Sequence, residues 1–480
     1  SSIVTANAKV DLNGTELILD VDADTSITAD TDDQIDVRIA GADDFQFTAN
    51  DFTALSGSVI STNTIAETTA DTGVTIDGLL LKDSTAAFAD GAVATPSVTN
   101  TGDLNTGIYF PAADTVGITA GGVEQFRFGS NPIPGSSKQL VRNGAMQIAQ
   151  RGTITGMGGA NIYSALDGFE VRNSGSPQGR FTSSQVALSL GDSATAGGFR
   201  QGLKMDCTTA ESAVGAAEII MLVTKIEAQD LQHLEWGTAS AKAVTLSFTF
   251  SSPKTGVHCV SLYNYDSNTS YVAEFTIASA NTYERFEITI PGPTDGGFNN
   301  DTGIGLGIQW PLVAGSDWQK TAGSWGNDEK YASSNQQNLL DNTSNNVILT
   351  GVLLEEGSVG TDYPHVTFAD ELLRNQRYLQ LLGNGAVGGA RSTSIAYFGL
   401  KLVPVMRAAP TLTLTDTSVQ VIDTAGSGLI SSSGSIQTSL IKNTGLMFAI
   451  DGYSGGNVLT QHRPHIIYNQ PDFLLASAEL

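Results

Sequence analysis

Ile35-Asp36-Val37-Arg38-Ile39 alternates apolar and polar residues at period two, the pattern of a half-buried β-strand. The turn residues Gly41-Ala42-Asp43-Asp44 follow, then Phe45-Gln46-Phe47, so the segment reads as a hairpin. The same unit returns 81 residues later as Val116-Gly117-Ile118, Gly122-Val123-Glu124-Gln125 and Phe126-Arg127-Phe128. Gly41 aligns with Gly122, Asp43 with Glu124, and Phe45 and Phe47 with Phe126 and Phe128. One hairpin is marginally stable in water, and residues 1–130 hold few large apolar side chains to build a core. The arrangement this predicts is a set of chains side by side, with Phe45, Phe47, Phe126 and Phe128 in a shared core and acidic outer faces in water. The alternative is an ordinary small β domain.

Composition points the same way. Of 480 residues, 15% are charged, against roughly 25% in a typical protein, and 52 are Gly. Helix-rich chains carry more Glu, Lys, Arg and Leu, so the expected class is all-β with many turns. A mean hydropathy of −0.02 is compatible with real cores. The 24 basic and 49 acidic residues leave a net charge of −25, which repels phosphate backbones and anionic lipid and argues against a nucleic-acid partner. No apolar run approaches the ~20 residues of a membrane span, so no membrane insertion is expected, and Ser1-Ser2-Ile3-Val4 lacks the basic and apolar regions of a Sec-type signal. Cys207 and Cys259 are too few for a disulfide framework. They are expected as buried free thiols, the alternative being one pair.

Up to Phe128 the chain has 20 acids and 4 bases; the remainder has 29 and 20. The composition shifts at Asn131-Pro132-Ile133-Pro134-Gly135-Ser136-Ser137, read as a linker over 131–138 between an acidic hairpin-repeat shaft at 1–130 and a larger β domain at 139–369. In that domain, 243–250, 256–262, 271–277, 283–290 and 346–354 read as strands separated by Ser/Asn/Gly/Pro turns, which indicates a jelly-roll-like β-sandwich. A helix is expected over 370–382, with acids in its first turn, Leu372, Leu373, Gln376 and Leu379 on one side and Gly383 after its end. A C-terminal β domain over 383–480 follows.

Catalytic constellations are missing from the sequence. There is no Walker A loop, no HExxH, no metal-spaced Cys/His cluster and no Gly-x-Ser-x-Gly elbow. Gly303-Ile304-Gly305-Leu306-Gly307 lies in strand-like surroundings with no following helix. His462-Arg463-Pro464-His465 is the densest basic spot and reads as a surface turn. With 49 acids, accidental carboxylate pairs are too common to identify a glycosidase. Trp318, Trp325 and Tyr331 lie in a Gly/Ser/Asn/Lys-rich stretch, where flat rings beside amides and carboxylates suit sugar stacking. The competing reading is that these rings close the sandwich core, the role expected of Trp310. Tyr453 is a further aromatic candidate in the C-terminal region. Asp295-Gly296-Gly297-Phe298-Asn299-Asn300-Asp301 is a loop of the kind that holds calcium through Asp295 and Asp301, or else a plain turn. No other cofactor is expected.

Several strings resemble tail-fibre proteins of tailed bacteriophages. Leu140 to Gly152, with Asn143-Gly144-Ala145-Met146-Gln147-Ile148-Ala149-Gln150-Arg151-Gly152, resembles the "N-G-[GA]-M-x-[IV]-[AS]-Q-R-G" opening of a β-sandwich module in those fibres. Tyr163-Ser164-Ala165-Leu166-Asp167-Gly168-Phe169 resembles its next segment, with Gly168 where the family has Arg. The Ser247–Phe250 strand, Trp325 with its loop, and Leu353-Leu354-Glu355-Glu356-Gly357 are similar to further parts of it. Glu371-Leu372-Leu373-Arg374-Asn375-Gln376-Arg377-Tyr378 resembles its "E-L-x-x-C-Q-R-Y" helix, with Asn375 in place of Cys. Val405-Met406-Arg407-Ala408-Ala409-Pro410 and the ending Ala478-Glu479-Leu480 fit as well. Asn105-Thr106-Gly107-Ile108-Tyr109-Phe110-Pro111-Ala112-Ala113-Asp114-Thr115 and the segment 24–57 are similar to fibre repeats.

The resemblance implies a virion component, made in the host cytoplasm and located in the tail. It implies an intertwined homotrimer that attaches to the virion through residues 1–130, docking to other tail or baseplate proteins, with 383–480 a candidate receptor-binding tip. Its distal domains would bind a host surface glycan or protein through a sandwich similar to carbohydrate-binding modules, without enzymatic activity. Two alternatives remain: an architectural tail or head fibre with no receptor role, and a polysaccharide-degrading tailspike, against which the lack of a long periodic β-helix argues.

Overall fold

The computed structural model describes residue 12 and residues 15–29, 31–61, 88–128, 139–383, 386–416, 419–423, 429–431, 434–453, 459, 461–467 and 472–480. The chain is all-β, built of antiparallel sheets. It divides into two compact units, Ser1–Phe88 and Ala89–Leu480. That division precedes the linker expected at 131–138, which lies outside the described residues.

The first unit holds a five-stranded meander from Leu17–Ile18 to Asp51–Ala54. The second unit opens with a four-stranded meander from Val98–Asn100 to Val123–Phe128. The repeat seen in the sequence is exact enough to reproduce an irregularity. The register shifts between Val37 and Arg38 in the first sheet and between Ile118 and Thr119, 81 positions on, in the second. Each hairpin turns through two residues of positive φ, Ala40-Gly41 and Gly121-Gly122, the type that matches strand twist.

Register then fixes what each face carries. Leu17, Ile27, Val37, Phe45 and Ala54 form one cross-strand row, and Ile35, Phe47 and Phe52 another. In the second sheet the rows are Val98-Ile108-Ile118-Phe126 and Val116-Phe128. These apolar rows are uncovered in the single chain: Phe47 is 42% and Phe126 63% exposed. Phe128 is also exposed and Phe45 half-buried. The opposite faces bury polar groups instead. Asp36 accepts from Gln34 Nε2 at 2.7 Å and Gln46 Nε2 at 3.0 Å, and Tyr109 donates to Glu124, which pairs with Arg127 at 2.7 Å.

Residues 139–356 form the β-sandwich. One sheet runs, in spatial order, Ile154–Met157, Arg180–Ala187, Gln201–Thr209, Asn346–Glu356, Val244–Ser251 and Glu284–Ile290. The other runs Ile162–Tyr163, Phe169–Ser174, Ile219–Glu227, Ile304–Ala314, Gly256–Asn264, Thr269–Ile277 and Trp325–Gly326. The chain passes back and forth between the two sheets, as in a jelly roll. The core between them packs Phe248 against Phe250, Phe275 and Trp310, whose ring centroids lie 5.1–6.4 Å away, edge to face. Trp310 has the core role expected of it. Cys207 and Cys259 are free and buried, and burial raises both thiols above their ordinary pKa.

The helix is shorter than expected and differently faced. It spans Phe368–Gln376, capped by Thr367, whose side chain accepts from Asp370 N. Leu379–Leu382 is a strand, paired with Leu474–Ser477. Leu373 is 51% exposed, whereas Glu371 and Asn375 are buried. The inward face is polar because it bonds backbone: Asn143 N donates to Glu371 Oε1 at 2.5 Å, and Asn375 Nδ2 donates to Glu371 O at 2.8 Å. Beyond the helix, a three-stranded and a seven-stranded sheet enclose a second core around Phe398, Phe448, Tyr453 and Phe473. His465 is buried in strand Pro464–Ile467, so the basic spot at 462–465 is only partly the surface turn expected.

The C-terminal residues return to the sandwich. Glu479 binds Arg151 and lies 3.7 Å from Arg142, Arg407 Nε donates to Ala478 O at 2.9 Å, and Tyr163 OH donates to Leu480 O at 2.8 Å. Nearby, burial pushes Asp167 from its ordinary 3.8 up to about 6, despite hydrogen bonds from Gln150 and the Arg151 guanidinium 4.0 Å away. Arg151 makes its closer contact with Glu479, which also repels a charge on Asp167.

Two outcomes follow from this packing. Dithiothreitol should leave thermal unfolding unchanged, because no disulfide contributes the ~2–4 kcal/mol such a bond typically does. For Asp167, the folded state keeps a proton that the unfolded chain releases near pH 3.8, so its contribution is full below that pH and lost as pH rises to about 6. Asp167→Asn should therefore gain stability relative to the wild type between pH 4 and pH 7, by about 3 kcal/mol at most. Urea midpoints at the two pH values measure it; an equal difference at both would show that burial does not govern this carboxyl.

Candidate functional site

The outer face of the seven-stranded sheet carries the aromatic segment. In strand Thr269–Ile277, Tyr271, Ala273 and Phe275 point into the core, which turns Ser270, Val272 and Glu274 outward. Residues 315–335 fold back over this face, tied by Gln319 pairing with Ala332 and by Gly323 N donating to Val272 O at 2.8 Å.

The rings expected to stack on sugars are placed by this fold as packing elements. Tyr331 is fully buried among Ile219, Met221, Val223 and Tyr263, and its hydroxyl donates to Glu329 Oε1 at 2.6 Å. Burial raises its pKa far above that of a free tyrosine. Trp318 is half-buried, stacked on Tyr331 at 5.8 Å, with Nε1 donating to Ala217 O at 2.8 Å. Trp325 is half-buried against Trp236 and Tyr271, at 5.2 and 5.5 Å, with Nε1 donating to Pro291 O at 2.6 Å. Tyr453 is 1% exposed inside the C-terminal core, far in the fold from these three. Tyr331 and Tyr453 therefore present no ring to a ligand, and the expectation is corrected for both: each ring is packed on all sides by a cluster of apolar side chains.

In the loop that reads as a calcium site or a plain turn, Asp295 and Asp301 are exposed, and Asp301 Oδ1 accepts from Gly303 N at 2.8 Å, closing a turn. Among the described residues, Asp20, Asp22 and Asp24 do bring three carboxylates within 4.8 Å of one another. They sit in one loop of the first unit.

Beside the aromatic segment lies an open groove of about 440 Å³, lined by Glu274, Ser316, Gln319, Lys320, Thr321, Ala322 and Ser333 to Asn335. Its polar groups are held in place from behind. Lys320 Nζ donates to Asp328 Oδ1 at 2.9 Å and Ser270 O at 3.2 Å. Burial opposes ionisation of Asp328, but the bonds from Lys320 and Ser270 outweigh it and hold its pKa low. Asn335 Nδ2 donates to Glu274 Oε1 at 3.0 Å, and Ser333 N donates to Cys259 Sγ at 3.3 Å. The groove offers hydroxyls, amides, a carboxylate and an ammonium within a volume usual for ligand sites, roughly 300–1,000 Å³. Sequence reasoning singled out the aromatics of this stretch and passed over these polar residues. The run Ser333-Ser334-Asn335-Gln336-Gln337-Asn338, directly after Tyr331, was the available signal.

No family model and no curated protein matches the chain. Among solved structures, a CBM4 protein is similar at 12% identity, covering 45% of this chain and 99% of its own, with a TM-score of 0.24. The family 11 carbohydrate-binding module from Clostridium thermocellum, in complex with a mixed-linked tetrasaccharide, is 12% identical over 40% of this chain and 91% of its own, at 0.22. The enzymatically active domain of bacteriophage CBA120 tailspike protein 4 is 9% identical over 40% of this chain and 19% of its own, also at 0.22. Scores this low carry neither fold nor function over to this chain.

Trp325→Ala should act on folding: it removes packing on Trp236 and Tyr271 and should cost about 2–3 kcal/mol, below the ~3–5 of a fully buried aromatic. An unchanged melting temperature in differential scanning calorimetry would contradict the packing role.

Proposed function

We propose that the chain is a non-enzymatic fibre subunit of a tailed-bacteriophage virion. It assembles as a homotrimer through its N-terminal sheets, docks to other tail proteins, and attaches to host-surface glycan through the sandwich groove. The observation that carries the assembly half is the pair of uncovered apolar faces. Two separate sheets, each with one polar face already satisfied, leave phenylalanine rows in water. Monomeric proteins rarely keep contiguous apolar surface exposed unless a partner covers it. The fibre-like strings of the sequence agree with that use.

The attachment half is supported by the groove beside Glu274, Lys320 and Asn335. Polyhydroxylated ligands need many donors and acceptors, and this groove supplies them. A single saccharide contact is weak, but three copies per fibre and several fibres per virion multiply it. Binding by hydrogen bonds also suits a chain of net charge −25 meeting an anionic cell surface. The architectural reading, a fibre without a receptor role, is favoured by one observation: Trp318, Trp325 and Tyr331 all face protein.

Native mass spectrometry should give three copies, and Phe126→Asp should lower that number. A stable wild-type monomer would overturn the assembly reading. Asn335→Ala with Gln319→Ala should cut virion adsorption several-fold while the melting curve holds. Normal adsorption would favour the architectural reading instead. Host polysaccharide incubated with the protein should keep its length, and shortening would make the protein an enzyme.

A further inference from the structure

A second cleft, of about 140 Å³, lies where the sandwich meets the helix. In a strongly acidic chain, four of the 24 basic side chains line it: Arg142, Lys225, Arg374 and Arg377, with Glu227 and Asp230 as the acids. Two of the cations are neutralised on the spot. Arg377 forms a two-pronged pair with Glu227, Nε to Oε1 at 3.0 Å and Nη2 to Oε2 at 2.9 Å. Lys225 Nζ lies 2.7 Å from Glu170 Oε1 and donates to Leu480 O at 2.6 Å.

Arg142 is different. It is 7% exposed, its guanidinium lies 3.7 Å over the Tyr378 ring, and its Nε and Nη1 donate to nothing. Its nearest carboxylate oxygen, on Glu479, is 3.7 Å from Nη2, and Glu479 makes its short contact with Arg151. Arg374 also keeps positive charge. It bonds the neutral Gln139, through Nη1 at 3.1 Å and Nη2 at 2.7 Å, and stands 3.6 Å from Glu371.

A buried guanidinium with unmade hydrogen bonds is costly, and an anion removes that cost. We propose that this cleft is a binding site for a tetrahedral oxyanion of the phosphate type, held between Arg142 and Arg374. The planar guanidinium fork matches the oxygens of such an anion two at a time. The volume admits an anion of this size with a few waters. The bound anion would join the opening of the sandwich, at Arg142, to the helix, at Arg374. Binding only the folded state, it would raise the melting temperature. Free inorganic phosphate and a phosphate carried on a sugar present the same oxygens.

The full-length protein is titrated with potassium phosphate, with potassium acetate and potassium chloride at matched ionic strength as controls, and binding is read by calorimetry and by melting temperature. Phosphate should bind and raise the melting temperature, and the controls should not. Arg374→Gln, whose side chain is partly exposed and stands 3.6 Å from Glu371, where Asn143 N and Asn375 Nδ2 still bond that carboxylate, should fold and lose about tenfold in affinity, the value of one charge-assisted pair. If that variant folds poorly, Arg142→Lys gives the same reading, since it keeps the charge and loses the fork. Glucose 6-phosphate against glucose separates the sources. Binding of the sugar phosphate alone, or of both phosphates, means that a sugar-borne group can enter, and binding of inorganic phosphate alone restricts the site to the free anion. Equal effects of phosphate, acetate and chloride would overturn the proposal, as would full affinity in Arg374→Gln.

Discussion

Three buried carboxylates hold the second unit together. Glu371 accepts the backbone N–H of Asn143, Glu227 accepts from Arg377 and Tyr378, and Glu479 binds Arg151. Each links residues more than 140 positions apart. Through them the first turn of the sandwich, the helix and the last residues of the chain become one junction. A buried ion pair adds little net stability compared with apolar packing, but losing one partner costs roughly 3–5 kcal/mol because the other stays charged and dry. The junction thus specifies the arrangement more than it stabilises it: any docking that misplaced the C-terminal segment would strand a charge.

Close approach enforces the same geometry. A Cβ at Gly144 would stand 2.0 Å from Val352 O, so only glycine lets the chain run against that strand. Beside it, Asn143 takes a positive φ and its side chain bonds Ile148 and Asp167 backbone oxygens at 2.8 and 2.9 Å. Glu355, next to last in the strand Asn346–Glu356, accepts from Thr361 N and Oγ1, both at 2.7 Å. The Asn143 and Glu355 side chains satisfy backbone groups outside the sheet ladders.

The sequence made the strands legible because their side chains answer to a period of two. The hairpin repeat was legible as a repeat, and the structure adds a register shift that both copies share, after Val37 and after Ile118. The helix was misjudged for a physical reason. Periodicity assigns apolar residues inward, but here Glu371 and Asn375 turn inward to bond backbone, and Leu373 is left in water. The aromatic segment was ambiguous in the same way. A tryptophan that stacks on a sugar and one that stacks on Tyr331 have the same sequence signature, and only the position of strand Ile219–Glu227 beneath the loop separates them.

Five of the strings that resemble fibre proteins meet at the junction. Asn143 to Arg151, Asp167, Glu371 to Tyr378, Arg407 and Glu479 contact one another directly or through one residue. The groove is bordered by one further fibre-like string, the loop of Trp325, which carries Lys320. At the junction the patterned residues are those whose buried polar groups must find specific partners. Contacts with an external ligand demand no such pattern, because water satisfies the same groups when the ligand is absent. A recognition surface on this framework can change residue by residue while the junction below it stays fixed, as expected when rigid strands carry variable loops.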